Sequence, residues 1–253
     1  MAGGRVDQEA ATIVDILRWR AGHQPEKLSH VFLADGEREE VRITYADLDR
    51  QARAIAADLA ARCAPGERAL LLYPAGLEFI TAFFGCLYAG VVAVPAYPPR
   101  NRSHLPRISA IRSDSGARFA LTTAKTLTGI HANLEAYPDL VGLQWIATDG
   151  IDAARADDWR APAPARDGLA FLQYTSGSTG IPKGVMVSHA NILYDSLYIQ
   201  RSFSLHPGSV STSWLPSFHD MGLIDGVIQP LYTGFPGVLL SPVSFIQKPF
   251  RWL

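Results

Sequence analysis

Residues 79–99 form a run of 21 positions without a charge, bounded by Glu78 and Arg100. Such a run is either a membrane span or a helix and a strand buried in a globular core. Its punctuation favours the second reading. Gly90 stands where a helix over 78–89 needs a left-handed C-cap. Val91, Val92 and Val94 then read as a short β-branched strand, stopped by Pro95 and by the Pro98-Pro99 pair. Consecutive buried elements of this kind belong to a parallel sheet covered by helices.

The flanking sequence continues the alternation. Thr44-Tyr45-Ala46-Asp47 resembles a capping box with Asp in the last place, and it opens a helix whose Leu48, Ala52, Ile55 and Leu59 fall at helical spacing. Pro65-Gly66 ends that helix, residues 68–73 read as a buried strand, and with the 78–89 helix and the next strand they complete a βαβ unit. A helix over 105–113, a strand at 118–122, a helix over 124–136 and a strand at 143–148 repeat the theme. Residues 153–166, with prolines at 162 and 164, read as an extended surface linker. Strands follow at 169–174 and 185–187, and Ser188 can cap a helix over 189–201. The expected fold class is therefore α/β, with mixed or parallel sheets flanked by helices.

Composition narrows the function classes. Lys and Arg number 23 against 24 Asp and Glu, so the totals offer no basic excess for nucleic acid. Cys63 and Cys86 are the only cysteines, which leaves no disulfide framework and no CxxC metal site. Residues 1–20 carry charges throughout and lack the apolar core of a signal peptide, so a cytoplasmic location is expected. His23, His30, His104, His131, His189 and His206 show no ligand spacing and receive no role.

The chemistry concentrates between the strands at 169–174 and 185–187, in YTSGSTGIPKG at 174–184. Thr175, Ser176, Ser178 and Thr179 supply hydroxyls and Lys183 an ammonium, while Gly177, Gly180 and Gly184 allow close approach of the backbone. That mixture suits a polyphosphate, whose oxygens accept many hydrogen bonds at once. Walker A is excluded because Pro182 precedes Lys183 and Gly184 follows it. A nucleophile elbow is excluded because Ser176 stands where the first Gly around Ser178 is required. A second cluster, residues 214–222, sets His219-Asp220 among aromatic and apolar neighbours. By itself, a His-Asp pair is more often a cap or a turn than a site.

QYTSGSTGIPKGVMVSHANI at 173–192 resembles the signature segment of the adenylate-forming (acyl-activating, AMP-binding) superfamily. VPAYPPR at 94–100, LQYTSGSTG at 172–180 and SWLPSFHDMGLI at 213–224 resemble its fatty acyl-AMP ligase branch, and the likeness runs from about residue 43 to the last. The resemblance implies that residues 1–253 are the N-terminal part of the large AMP-binding domain, with the small C-terminal domain absent. It implies ATP-dependent conversion of a fatty carboxylate to an acyl-adenylate, then transfer to the phosphopantetheine thiol of an acyl carrier protein, free or in a downstream synthase module such as a polyketide synthase.

On that resemblance Thr175, Ser176, Gly177, Ser178, Thr179, Gly180 and Lys183 would bind the ATP phosphates, and His219, Asp220, Met221 and Gly222 would line the pocket between nucleotide and acyl chain. Lys183 and His219 would be the catalytic pair. Preorganised donors at the departing pyrophosphate lower the barrier by ~3–4 kcal/mol each. No metal ligand is assigned in this chain; the residue for Mg²⁺ is expected beyond Leu253, so no turnover is expected of residues 1–253 alone, and apolar surface is expected where the rest would pack. A fatty acyl-CoA ligase of the same fold and a non-catalytic ATP- or acyl-binding module stay open as alternatives.

Overall fold

The computed structural model of the protein describes residues 10–99, 105–132, 140–162, 166–176 and 182–252. Helix α1 (Ile13–His23) leads into β1 (Leu28–Leu33), β2 (Glu40–Thr44) and α2 (Tyr45–Ala60). Then come β3 (Arg68–Leu72), α3 (Leu77–Ala89), β4 (Val92–Ala96), α4 (Leu105–Ser115), β5 (Phe119–Thr122), α5 (Ala124–His131) and β6 (Gln144–Ala147). The second half holds β7 (Leu169–Ser176), β8 (Pro182–Ser188), α6 (His189–Ser202), β9 (Ser211–Ser213), α7 (Asp220–Leu223), α8 (Gln229–Thr233), β10 (Gly237–Leu240) and α9 (Pro242–Gln247).

Two sheets result. One has six strands in the order β6-β5-β3-β4-β7-β8, parallel except for the β7–β8 hairpin; the other has four, β2-β1-β10-β9. Alternation along β3 divides the core. Ala69 and Leu71 join the larger apolar cluster, which reaches α1, α2, α3 and the second sheet. Leu70 and Leu72 join a smaller one covered by α4 and α5. Both faces of the strand are buried, which is why it reads as a continuous apolar run.

The uncharged run resolves as its punctuation indicates. The 13-residue α3 ends at Gly90, whose φ of 69° is left-handed and whose N–H returns to Cys86 and Leu87. Among the described residues no helix is long and apolar enough to cross a membrane. Ser188 caps α6 through a full capping box with Asn191.

Three expectations change. The strand at 92 continues through Pro95 to Ala96, because β4 is registered to β7 only at Ala93↔Phe171 and the missing N–H of Pro95 interrupts no ladder on that side. The α2 helix stops at Ala60, before Pro65-Gly66. The stretch at 153–166 is more than a linker: Ala153–Asp158 forms a 3-10 helix, Arg155 pairs with Asp58, and the Trp159 indole donates to the Tyr88 carbonyl at 3.0 Å. Those contacts outweigh the extended preference of the prolines that follow. The end of the expected 124–136 helix lies outside the described residues.

Candidate functional site

The glycine- and hydroxyl-rich loop is the tip of the β7–β8 hairpin. Register pairs Tyr174 with Gly184, Thr175 with Lys183, and Ser176 with Pro182. Gly177, Ser178, Thr179 and Gly180 lie outside the described residues, so the structure places the base of the loop and its Thr175–Lys183 rung, both side chains of which are exposed.

Strand pleating sets the direction of that rung. Phe171 belongs to the larger core cluster, whereas Leu172 and Tyr174 belong to the smaller one. Gln173 and Thr175 therefore share the face opposite Tyr174. On that face the Gln173 amide donates to the Phe218 carbonyl at 3.0 Å, so Thr175 and Lys183 stand on the side of the sheet that meets the 214–222 segment. The two motifs, forty residues apart in sequence, meet across one strand.

On the other face the buried Tyr174 hydroxyl donates to Asp114 Oδ2 at 2.5 Å. Burial, and next the Asp114 carboxylate, push the phenol well above its ordinary range, which keeps it protonated as a donor. Its ring covers Gly184, where a Cβ would come 2.9 Å from Cζ and 3.0 Å from Oη.

Beside the hairpin lies a cavity of about 170 Å³, walled by Phe32, Tyr73, Phe79, Tyr97, Leu215–Phe218 and residues 239–243. The Tyr97 ring meets Phe218 edge-on at 5.1 Å. Within 214–222, residues 215–218 line this cavity. His219, Asp220, Met221 and Gly222 follow as the N-cap and first turn of α7. His219 Nδ1 lies 2.5 Å from Asp220 Oδ1, both side chains being about half exposed. Asp220 takes up the Nδ1 side of the ring, so Nε2 is the nitrogen left available to a ligand. Met221 is 56% exposed, whereas Gly222 is buried against backbone. A Cβ on Gly222 would overlap the Pro216 carbonyl oxygen and come 2.7 Å from its carbon. Immediately after α7 the chain makes a π-helical turn, Ile224–Ile228, of the sort frequent beside functional sites.

Tyr97, Phe32, Gln173 and Asp114 were not singled out by motif. Tyr97 lies inside the VPAYPPR segment, where a lone aromatic between prolines was the available signal. Gln173 opens the 173–192 segment that carries the resemblance, whereas Phe32 and Asp114 reach the site only through tertiary contacts. Among the described residues no three His, Cys, Asp or Glu side chains assemble as a metal-binding group.

The described residues thus form an α/β fold of two sheets, with an apolar cavity walled in part by residues 215–218. The family described as AMP-binding enzyme matches residues 17–253, and the chain belongs to that family. It is 45% identical over 249 residues to the medium-chain-fatty-acid–[acyl-carrier-protein] ligase JamA of Moorena producens, covering 97% of this chain and 42% of that protein. With the long-chain-fatty-acid–AMP ligase FadD32 of Mycolicibacterium smegmatis the identity is 34%, over 96% of this chain and 39% of the relative. The chain thus spans less than half the length of these curated relatives. A solved fatty acyl-adenylate ligase from Legionella pneumophila, in complex with acyl adenylate and pyrophosphate, superposes with a TM-score of 0.90. It is 40% identical and matches 100% of this chain and 43% of that one.

Proposed function

We propose that this chain is the nucleotide- and acyl-binding part of an enzyme that uses ATP to convert a fatty carboxylate into an acyl-adenylate, with a carrier-protein thiol as the final acceptor. The observation that carries the reading is the Gln173–Phe218 hydrogen bond. It joins the β7–β8 hairpin, which bears Thr175 on one strand and Lys183 on the other, to the wall of an apolar cavity, so a polyphosphate and an alkyl chain can be held side by side. The solved relative with acyl adenylate and pyrophosphate and the relative named as an acyl-carrier-protein ligase support it.

In this reading a carboxylate oxygen attacks the α-phosphorus and the bond to the bridging oxygen of pyrophosphate breaks. Charge grows on the leaving group, and the Lys183 ammonium, the Thr175 hydroxyl and the hydroxyls and backbone N–H groups of 176–180 are the donors assigned to it. The apolar wall strips water from the acid, and the chain-forming CH₂ groups contribute about 0.8 kcal/mol each when buried. His219 Nε2 is assigned to hold the carboxylate for attack. The described residues do not form a Mg²⁺ site, and no step is assigned to that ion. Two free, buried cysteines and a requirement for ATP suit the cytoplasm.

The test is exchange of labelled pyrophosphate into ATP with decanoate as the acid, on the protein as its gene encodes it. Lys183→Ala is expected to slow exchange about 100-fold, with decanoate affinity moving by less than about threefold, since the ammonium is assigned to the polyphosphate, bound and departing, and not to the acid. An unchanged exchange rate removes Lys183 from the nucleotide site and the reading with it.

A further inference from the structure

The end of the hairpin stands out from its sheet. Strand β7 is registered to β4 only at Ala93↔Phe171, whereas its pairing with β8 runs on to Ser176↔Pro182. Counted in parallel from that pair, β4 ends at Ala96, level with Tyr174, so Thr175 and Ser176 overshoot it, and β8 on their other side is the edge strand. A two-stranded ribbon is weakly held by its own ladder. Something else must fix where Thr175 and Lys183 sit.

Helix α4 supplies it. Asp114, near its C-terminal end, accepts the Tyr174 hydroxyl at 2.5 Å, and Arg107, two turns earlier, reaches the Tyr174 carbonyl at 3.5 Å. The Tyr174 ring occupies the space that a Cβ on Gly184 would need, so the same side chain covers both strands of the ribbon at the Tyr174–Gly184 rung. That rung adjoins Thr175–Lys183. Packing of the ring against Leu172 and the smaller core would be satisfied by phenylalanine. The hydroxyl adds a charge-assisted bond, which is short and directional and sets the ribbon's height above the helix. Gln173 secures the opposite face through Phe218.

We propose that Tyr174 and Asp114 are positioning residues: through their hydrogen bond, helix α4 holds the Thr175–Lys183 rung in register for a polyphosphate that neither residue touches. The proposal rests on the polyphosphate reading of the loop. It gives α4 a function beyond covering the sheet. Because α4 follows the segment that carries Tyr97, the helix also connects the wall of the apolar cavity to the phosphate-binding ribbon.

Calorimetric titration of the chain with ATP, and separately with decanoate, tests it in Tyr174→Phe, Asp114→Ala, Asp114→Asn, the Tyr174→Phe/Asp114→Ala double variant and Lys183→Ala. Tyr174→Phe and Asp114→Ala should each weaken ATP about tenfold, the worth of one charge-assisted hydrogen bond. The double variant should lose no more than either, because both remove the same bond. Asp114→Asn, whose amide oxygen still accepts, should stay within about twofold of wild type. Decanoate affinity should be unchanged throughout. ATP affinity in Tyr174→Phe equal to wild type, or ATP and decanoate weakened alike, overturns the positioning role. The Lys183→Ala arm separates the two ideas. If it too binds ATP as wild type does, the polyphosphate reading has failed; if it alone weakens ATP, only the clamp has.

Discussion

His30 shows how a single residue acquires a purpose that its sequence neighbours do not announce. It is fully buried on β1, with Nε2 3.2 Å from the Val227 carbonyl and Nδ1 2.9 Å from the Ser29 hydroxyl. A carbonyl only accepts, so Nε2 carries the proton and Nδ1 receives the hydroxyl's. The neutral ring thus ties β1 to the π-helical turn that follows the 214–222 segment. Burial lowers its pKa from the ordinary 6.5 to about 4, and burial does the same to His189, also to about 4. Between about pH 4 and 6.5 the unfolded chain binds protons that the fold refuses. The contribution of these rings is therefore complete above pH 6.5 and is lost as pH falls toward 4. Each ring adds up to about 1.4 kcal/mol per pH unit to the slope of stability in that window. Urea unfolding at half-unit steps from pH 4 to 7 should show a shallower slope in His30→Gln, by close to one proton, since the amide can still donate to Val227. Parallel curves for the two proteins would show that His30 is not held neutral.

At the scale of elements, Gly222 decides whether the cavity has a wall. The 215–218 stretch folds over the start of α7, with the His219 N–H on the Pro216 carbonyl at 2.9 Å, and Gly222 packs beneath that carbonyl. The obstruction is backbone and cannot rotate away, so Gly222→Ala should cost about 1–3 kcal/mol by overpacking and should lower decanoate affinity by displacing residues 215–218. Unfolding midpoints and decanoate titration check both; a variant as stable as wild type with intact decanoate binding would show that the wall does not depend on this contact. Elements like this were legible only where chemistry is local. The cap at Ser188 and the stop at Gly90 depend on residues within one turn and form as the sequence indicates, whereas at Thr44 only half of the capping box forms: the hydroxyl accepts the Asp47 N–H, and the Asp47 carboxylate accepts from that hydroxyl instead of from the backbone N–H. Strand β9 is Ser-Thr-Ser, with no apolar alternation to announce it, and β2 exposes three of its five residues. The β7–β8 hairpin was readable from its flanking apolar runs, whereas the Gln173–Phe218 and Tyr174–Asp114 bonds that give it a direction link positions 45 and 60 residues apart.

At the scale of the whole molecule, the second sheet is assembled from opposite ends of the chain, β1 lying parallel to β10 some two hundred residues later, a pairing that no local pattern encodes. Arg20 reinforces that closure. It is buried on α1, and its Nε and Nη2 each donate at 2.6 Å to the carbonyls of Leu231 and Tyr232. Those carbonyls sit in the last turn of α8, where the helix dipole is negative. Next to them Gly234 turns with a φ of 91°, and a side chain there would collide with the guanidinium. Arg20→Met keeps the apolar stem but removes both donors, so unfolding by urea should show a loss of about 3–6 kcal/mol, two charge-assisted bonds at about 1.5–3 each. The consequence should extend to the site, because β10 begins three residues after Gly234 and residues 239–243 wall the cavity. Decanoate affinity should therefore fall in Arg20→Met under conditions where the variant is still folded, although Arg20 does not line the cavity. A loss below about 1 kcal/mol with full decanoate affinity would mean that the sheet closes around the cavity without this bond.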